Sequence, residues 1–171
     1  MAKRKTWREK LADSKDLPKI VTVDGSKRQG WGEGTYVVPA PIEVDEVMKK
    51  VGKGKLITIN DIRQILAEKH GADFGCQITA GIFAWIAAHA AEEDADSGKK
   101  RITPYWCTLK TNGELNPKYP GGIENVKYRL ESEGHSVVRK RKRFFVAEFE
   151  KSLVKPSRIL AKLSSKATAV R

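Results

Sequence analysis

Three helix-length segments follow one another between Ile42 and Ala91, and they constrain the fold more than any other part of the sequence. In the first, apolar residues recur from Val44 to Val51 at the i, i+3, i+4, i+7 spacing of a one-faced helix. The second begins after Thr58, a suitable N-terminal cap, and ends near Gly71. Consecutive helices of this kind predict a mainly α fold with little β structure.

The third predicted helix begins at Cys76 or Gln77 and carries two kinds of side chain. Its large residues are spaced as an inward-facing stripe: Ile78, Ile82, Trp85, Ile86 and His89. Most other positions are small, and at Ala80 and Gly81 almost no side chain separates the backbone from a neighbouring surface. That surface is either a binding partner or another helix of the same chain.

The rest of the chain predicts smaller elements. Residues Arg101 to Lys110 are expected to be extended, a helix is expected from Gly122, and residues 136–149 have the pattern of a β-hairpin with a basic turn. The region from Ser152 forms either a basic helix or a disordered tail. Three helices followed by extended segments are typical of winged-helix proteins. The predicted fold is mainly α with small β: a winged-helix/helix-turn-helix domain plus a C-terminal β-hairpin and basic tail.

The same patterns divide the chain into three parts. Residues 1–41 are predicted to be a basic arm, partly packed through Trp7, Trp31 and the run Tyr36-Val37-Val38. A Gly-rich turn within it contains Gly30, Gly32 and Gly34. The winged-helix domain with its hairpin is expected over 42–150, and the basic tail over 151–171.

The net charge of +12 on 171 residues is the main compositional indication of a partner. From Arg139 to Arg171 eleven Lys and Arg stand against two Glu, so nine of the twelve excess charges lie there. Such a segment binds phosphates by releasing counterions, which indicates double-stranded DNA or another nucleic acid. A solubilising or ribosome-associated segment is the alternative.

Other functional classes are disfavoured by composition. No apolar run is long enough for a membrane span, and the N-terminus lacks the apolar core of a secretory signal. A cytoplasmic, nucleoid-associated location is therefore expected. Cys76 and Cys107 suit a reducing compartment, and neither they nor His70, His89 and His135 have a metal-site spacing. No metal and no cofactor are expected.

A set of residues between Thr103 and His135 carries a family resemblance. They are Pro104, Gly113, Tyr119, Gly121, Gly122, Lys127, Leu130, Glu133 and Gly134. In this register the segment resembles the active site of the alkylguanine-DNA alkyltransferases, in which a Pro-Cys-His-Arg motif is followed by a glycine turn and a helix ending in Glu-Gly. The motif here reads Pro104-Tyr105-Trp106-Cys107, so Tyr105 stands where the family has its alkyl-accepting cysteine.

The resemblance extends over roughly residues 43–135, and the first 41 residues are too short for the family's separate N-terminal domain. The chain is therefore most similar to the alkyltransferase-like proteins, which lack the acceptor cysteine. This implies a non-catalytic, monomeric DNA-binding protein that senses alkylated or damaged DNA, with excision-repair proteins as partners. The family's nucleotide-rotating tyrosine falls at Ile59 and its arginine finger near Ile78.

The resemblance also implies site residues. A base pocket is expected from Tyr105, Trp106, Tyr119 and Glu133. DNA contacts are expected from the start of the third helix and from the hairpin turn: Gln77, Thr79, Ala80, Gly81, Arg139, Lys140, Arg141, Lys142 and Arg143.

Two other functions remain open. The first is a divergent DNA alkyltransferase that uses Cys107 or Cys76, with Glu133 as a weak catalytic candidate. In an extended strand, Cys107 would return to the face of residue 105 about 6–7 Å away. The second is a general nucleic-acid-binding winged-helix protein without lesion preference.

Overall fold

A computed structural model describes residues 2–24 and 33–168, with side chains through residue 165. The helices in these residues are α1 (Trp7–Ala12), α2 (Pro41–Lys49), α3 (Ile59–His70), α4 (Gln77–Asp96), α5 (Gly122–Ser132) and α6 (Pro156–Thr168). The strands are β1 (Lys19–Val23), β2 (Gly34–Val38), β3 (Ile57–Thr58), β4 (Phe74–Gly75), β5 (Thr108–Leu109), β6 (Val137–Lys140) and β7 (Arg143–Val146). The predicted mainly α fold with small β is confirmed. None of the described helices is long and apolar enough to span a membrane.

Helices α2 and α3 form as their apolar spacing predicts. Val44, Val47 and Met48 of α2 are fully buried. At the start of α3 the backbone N–H of Asp61 donates to the Thr58 side chain at 3.2 Å, and the Thr58 N–H donates to the Asp61 carboxylate at 3.0 Å. This reciprocal cap satisfies two backbone donors that the first turn otherwise leaves without partners. The helix ends at Gly71, whose φ of 66° suits glycine.

The buried face of α4 is the opposite of the predicted one. The alanines at positions 80, 84, 87, 88, 90 and 91 are buried, whereas Ile78 and Ile82 are 60% and 47% exposed. The prediction of an inward stripe is therefore wrong at Ile78 and Ile82. Small side chains let α2 and α1 pack closely against α4, and the bulky residues then have no place on that side. Ala80, predicted to face DNA, is only 1% exposed and packs inward.

The N-terminal residues pack on the body through Trp7 and through strand β2. The Trp7 ring stacks on His89 at a centroid distance of 4.4 Å and meets Trp85 edge-on at 4.7 Å. The Glu93 carboxylate accepts the backbone N–H groups of Trp7 and Arg8 at the start of α1. Strand β1 pairs antiparallel with β2, and β2 pairs in parallel with β4. The predicted contributions of Gly30, Trp31 and Gly32 lie outside the described residues.

The C-terminal third matches its prediction at the hairpin and departs from it before β5. The antiparallel pair β6–β7 confirms the hairpin. The predicted extended segment is wrong at Tyr105–Cys107, which form a turn of 3₁₀ helix before β5. The basic tail forms helix α6, which is the helical one of its two predicted alternatives. Its Ile159 is 1% exposed, and the backbone of Leu56 is hydrogen-bonded to Ser152 and Val154 just before it.

Candidate nucleic-acid interface

The exposed side of α4 forms one wall of an apolar groove of about 600 Å³, called here the α4 groove. The helix contributes Ile78, Gly81, Ile82 and Trp85, and the loop between β5 and α5 contributes Lys110, Asn116, Pro117 and Lys118. Apolar walls with a few polar groups at the edge are typical of sites that bind a flat organic ligand.

The opposite wall of the groove is held at a fixed distance from α4. The Trp85 indole N–H donates to the Lys118 backbone carbonyl at 3.2 Å. The Asn116 side-chain oxygen accepts the Lys118 N–H at 2.9 Å, which makes the loop turn back on itself. Tyr119 follows, 2% exposed, and anchors the loop in the core. The groove is therefore formed before any ligand binds.

Tyr105 is buried and does not line this groove. The side chain is fully buried, and its hydroxyl donates to the Glu92 carboxylate at 2.5 Å while accepting from the Asn125 amide at 2.8 Å. Arg129 bonds the same Glu92 oxygen at 3.2 Å. Burial and the Glu92 charge raise the pKa of Tyr105 well above its usual range. The phenol is neutral, and its hydroxyl is hydrogen-bonded to one residue of α4 and one residue of α5.

Trp106, Cys107 and Glu133 form a second small cluster. The Glu133 carboxylate accepts the Trp106 indole N–H at 2.9 Å and the Cys107 thiol at 3.3 Å. Burial, with the Glu133 charge, raises the pKa of the Cys107 thiol far above its usual range. The turn at Tyr105–Cys107, rather than an extended strand, directs the thiol to Glu133. Cys107 is 1% exposed and Cys76 is 7% exposed.

We expect Cys107 to resist alkylation in the folded protein. In a Cys76→Ala variant, iodoacetamide should modify Cys107 at least about 100-fold more slowly than it modifies the unfolded chain, because the thiolate is the reactive species. Mass spectrometry at intervals, with and without denaturant, measures the two rates. Equal rates would contradict the burial and the protonated state of this thiol.

The predicted base-pocket residues are neighbours, but they do not share one open pocket. The Tyr105 ring lies 5.2 Å from Trp106 and 5.8 Å from Tyr119 between centroids. Tyr105 and Tyr119 are buried, whereas Trp106 and Glu133 line a cleft at the other end of α4. Their role in binding a base stays a prediction. Of the residues that line the α4 groove, sequence reasoning identified Gly81 alone. It missed Ile78, Ile82 and Trp85 because the bulky residues of α4 were assigned to the core.

The predicted DNA contacts are placed on the surface with one exception. Gln77 is exposed, Thr79 and Gly81 are partly exposed, and Ala80 is buried. The basic residues of the hairpin are all exposed: Arg139, Lys140, Arg141, Lys142 and Arg143. Within the described ranges, no group of three or more His, Cys, Asp or Glu is arranged to hold a metal ion.

The hairpin is attached to the loop that leads into the α4 groove. The Leu115 N–H donates to the Phe144 carbonyl at 2.8 Å, and the Val146 N–H donates to the Gly113 carbonyl at 3.0 Å. Gly113 has φ of 85°, and a Cβ there would lie 2.4 Å from the Phe149 ring. The turn therefore requires glycine, and it fixes the basic hairpin beside the groove.

The comparisons with known proteins identify a fold. No family model matches the chain, and no curated protein matches it in sequence. The solved structure of S. pombe ATL in complex with DNA is similar, with a TM-score of 0.50 and 18% identity over 68% of this chain and 94% of that one. The fold is that of an alkyltransferase-like protein. The structure of S. pombe Atl1 in complex with damaged DNA containing O6-carboxymethylguanine has a TM-score of 0.49 and 17% identity over the same shares.

Proposed function

We propose that the chain is a non-catalytic DNA-binding protein that senses alkylated or otherwise damaged bases. The α4 groove is the observation that carries this proposal. At about 600 Å³ it lies within the size range of ligand sites, and its walls suit the faces of an unstacked base. Asn116 and the two lysines at its edge supply polar groups for the edge of the base or its phosphates.

Binding of the duplex itself would use the outer side of α4 and the hairpin. Gly81 has nothing within 4 Å of the position a Cβ would occupy, so a DNA backbone can approach α4 closely there. The five basic residues of the hairpin would contact phosphates, which fixes position without reading sequence. The fold similarity to a DNA complex supports this arrangement. Action as a monomer in the cytoplasm, with excision-repair proteins as partners, belongs to the same proposal.

The alkyltransferase alternative is disfavoured by the chemistry of the site. Its acceptor would have to be a thiolate that reaches a base. The Cys107 thiol is buried with a raised pKa, Cys76 is buried at the start of α4, and Tyr105 has no free hydroxyl. A sensor that binds and releases the base requires none of these groups to react.

The decisive experiment compares two duplexes that differ by one O6-methylguanine, using fluorescence anisotropy at fixed salt. We expect the modified duplex to bind about tenfold more tightly, a difference of about 1.4 kcal/mol. Equal affinities would support the second candidate, a general nucleic-acid-binding protein, which the exposed basic hairpin favours. Failure to bind either duplex at moderate salt would contradict both.

The same samples test the alkyltransferase alternative. After incubation with the O6-methylguanine duplex, the intact mass of the protein should be unchanged. A gain of one methyl group would show that a residue of this chain accepts it.

A further inference from the structure

A second cavity, called here the basic cleft, lies where the C-terminal end of α4 faces the end of α2. Its volume is about 1000 Å³. Six basic side chains line it: Lys49, Lys53, Lys99, Lys100, Arg101 and Arg129. From Ile82 in the α4 groove to Ala95 in the basic cleft is about 20 Å along the helix axis. The two cavities are therefore separate sites.

The positive charge of the basic cleft is only partly neutralised. Its two carboxylates are occupied within the protein: Asp94 pairs with Arg8 and Lys99, and Glu133 accepts from Trp106 and Cys107. Lys53, Lys100 and Arg101 are exposed and lie beyond 4.0 Å of every carboxylate in the described residues. These three cations are available to an anionic ligand.

An aromatic surface lies among these charges. Trp106 is partly exposed, and the Arg129 guanidinium lies 4.4 Å from the centre of its ring. The indole N–H is held by Glu133, and Arg129 is held by Glu92, so both groups are fixed in orientation. An indole and a guanidinium plane held in this way are the groups on which nucleic-acid bases stack.

We propose that the basic cleft binds a single strand of nucleic acid, with its phosphates on Lys53, Lys100 and Arg101 and a base against Trp106. The combination of a cationic groove with an aromatic platform is the one that single-stranded nucleic acids require. A concave cleft between two helix ends admits one strand, whereas a duplex presents a broad convex surface. This site goes beyond the proposed sensing of damaged bases, because it requires neither a lesion nor the α4 groove.

The test measures binding of fluorescein-labelled oligothymidylate of about 20 nucleotides to the full chain by anisotropy over a range of salt. In the variant Lys53→Ala/Lys100→Ala/Arg101→Ala we expect at least about tenfold weaker binding and a salt slope shallower by about 2, since each lost contact contributes about 0.7. The control Lys3→Ala/Arg4→Ala/Lys15→Ala removes the same charge from exposed positions outside the cleft. It should change the affinity less than about threefold.

Tryptophan fluorescence locates the base independently of charge. Oligothymidylate should quench the emission of the wild type and of Trp7→Phe, a tryptophan outside both cavities, and the quenching should be lost in Trp106→Phe. Oligouridylate of the same length shows whether the site prefers DNA or RNA, and binding of either strand supports it.

Three outcomes would overturn the proposal. They are that the protein binds neither oligothymidylate nor oligouridylate, that the two triple variants weaken binding equally, or that the cleft variant weakens the binding of duplex DNA alone. Failure of the proposed damage sensing gives a different result. If the protein binds oligothymidylate through the basic cleft but does not bind duplex DNA, the single-strand site is supported and the proposed damage sensing is contradicted.

Discussion

Replacing Ile82 by glutamate is expected to weaken duplex DNA binding by about 2–3 kcal/mol, or about 30- to 150-fold, since a like charge facing phosphates costs this much. Ile82 lies in the wall of the α4 groove and is 47% exposed. A carboxylate there would point into the region proposed to receive the base and its phosphate. The fold should tolerate the change because the side chain contributes little to the core.

A matched control exists on another surface. Ile20 is 51% exposed on β1, at the outer edge of the β1-β2-β4 sheet, and Ile20→Glu makes the same change of charge. We expect it to alter duplex affinity less than about threefold, the effect of one distant charge. Anisotropy measures the affinity and urea unfolding confirms the stability of each variant. Equal weakening by the two substitutions would show that net charge, rather than the α4 groove, determines binding.

A neutral replacement separates base recognition from duplex binding. Ile82→Gln keeps the charge of the groove but makes its wall polar, so the preference for O6-methylguanine should fall while affinity for the unmodified duplex remains. If the preference persists, the modified base binds elsewhere.

Local signals were sufficient to predict several elements. The Thr58 cap and Gly71 predicted the start and the end of α3, and the helix expected from Gly122 is α5. The hairpin followed from two short apolar runs on either side of a basic turn. In each case the residues that decide the structure are close together in the sequence.

The orientation of α4 could not be read from its sequence. Apolar residues occur on all sides of this helix, so their spacing does not distinguish the core face from the exposed one. The larger residues were assigned to the core, but close packing against α2 and α1 requires the alanines there. That packing leaves Ile78 and Ile82 exposed. These two residues form part of the wall of the α4 groove.

Contacts between distant parts of the chain explain the other missed elements. Helix α1 has only six residues and depends on the contact of Trp7 with His89. Strand β2 requires pairing with both β1 and β4, which no local pattern indicates. The turn at Tyr105–Cys107 depends on hydrogen bonds to Glu92 and Glu133.

The substitution Tyr105→Cys is expected to destabilise the protein by about 3–5 kcal/mol, because it empties the space of a buried aromatic ring. Tyr105 is fully buried, and its hydroxyl joins Glu92 of α4 to Asn125 of α5. The substitution removes the ring and leaves both polar partners without this hydrogen bond. Urea unfolding measures the loss. Tyr105→Phe keeps the ring and should lose only about 1–3 kcal/mol, the net contribution of two hydrogen bonds of which one is to a charged carboxylate, since Glu92 keeps Arg129 and Asn125 keeps the Pro120 carbonyl as partners.

The Tyr105→Cys variant should not gain alkyltransferase activity. A thiol at position 105 would lie at the start of the Tyr105–Cys107 turn, beneath α4 and α5, where Glu92 and burial both favour its protonated form. Incubation of Tyr105→Cys with the O6-methylguanine duplex, followed by intact-mass measurement, is expected to show no added methyl group. A stoichiometric gain of that mass would instead show that position 105 reaches the bound base.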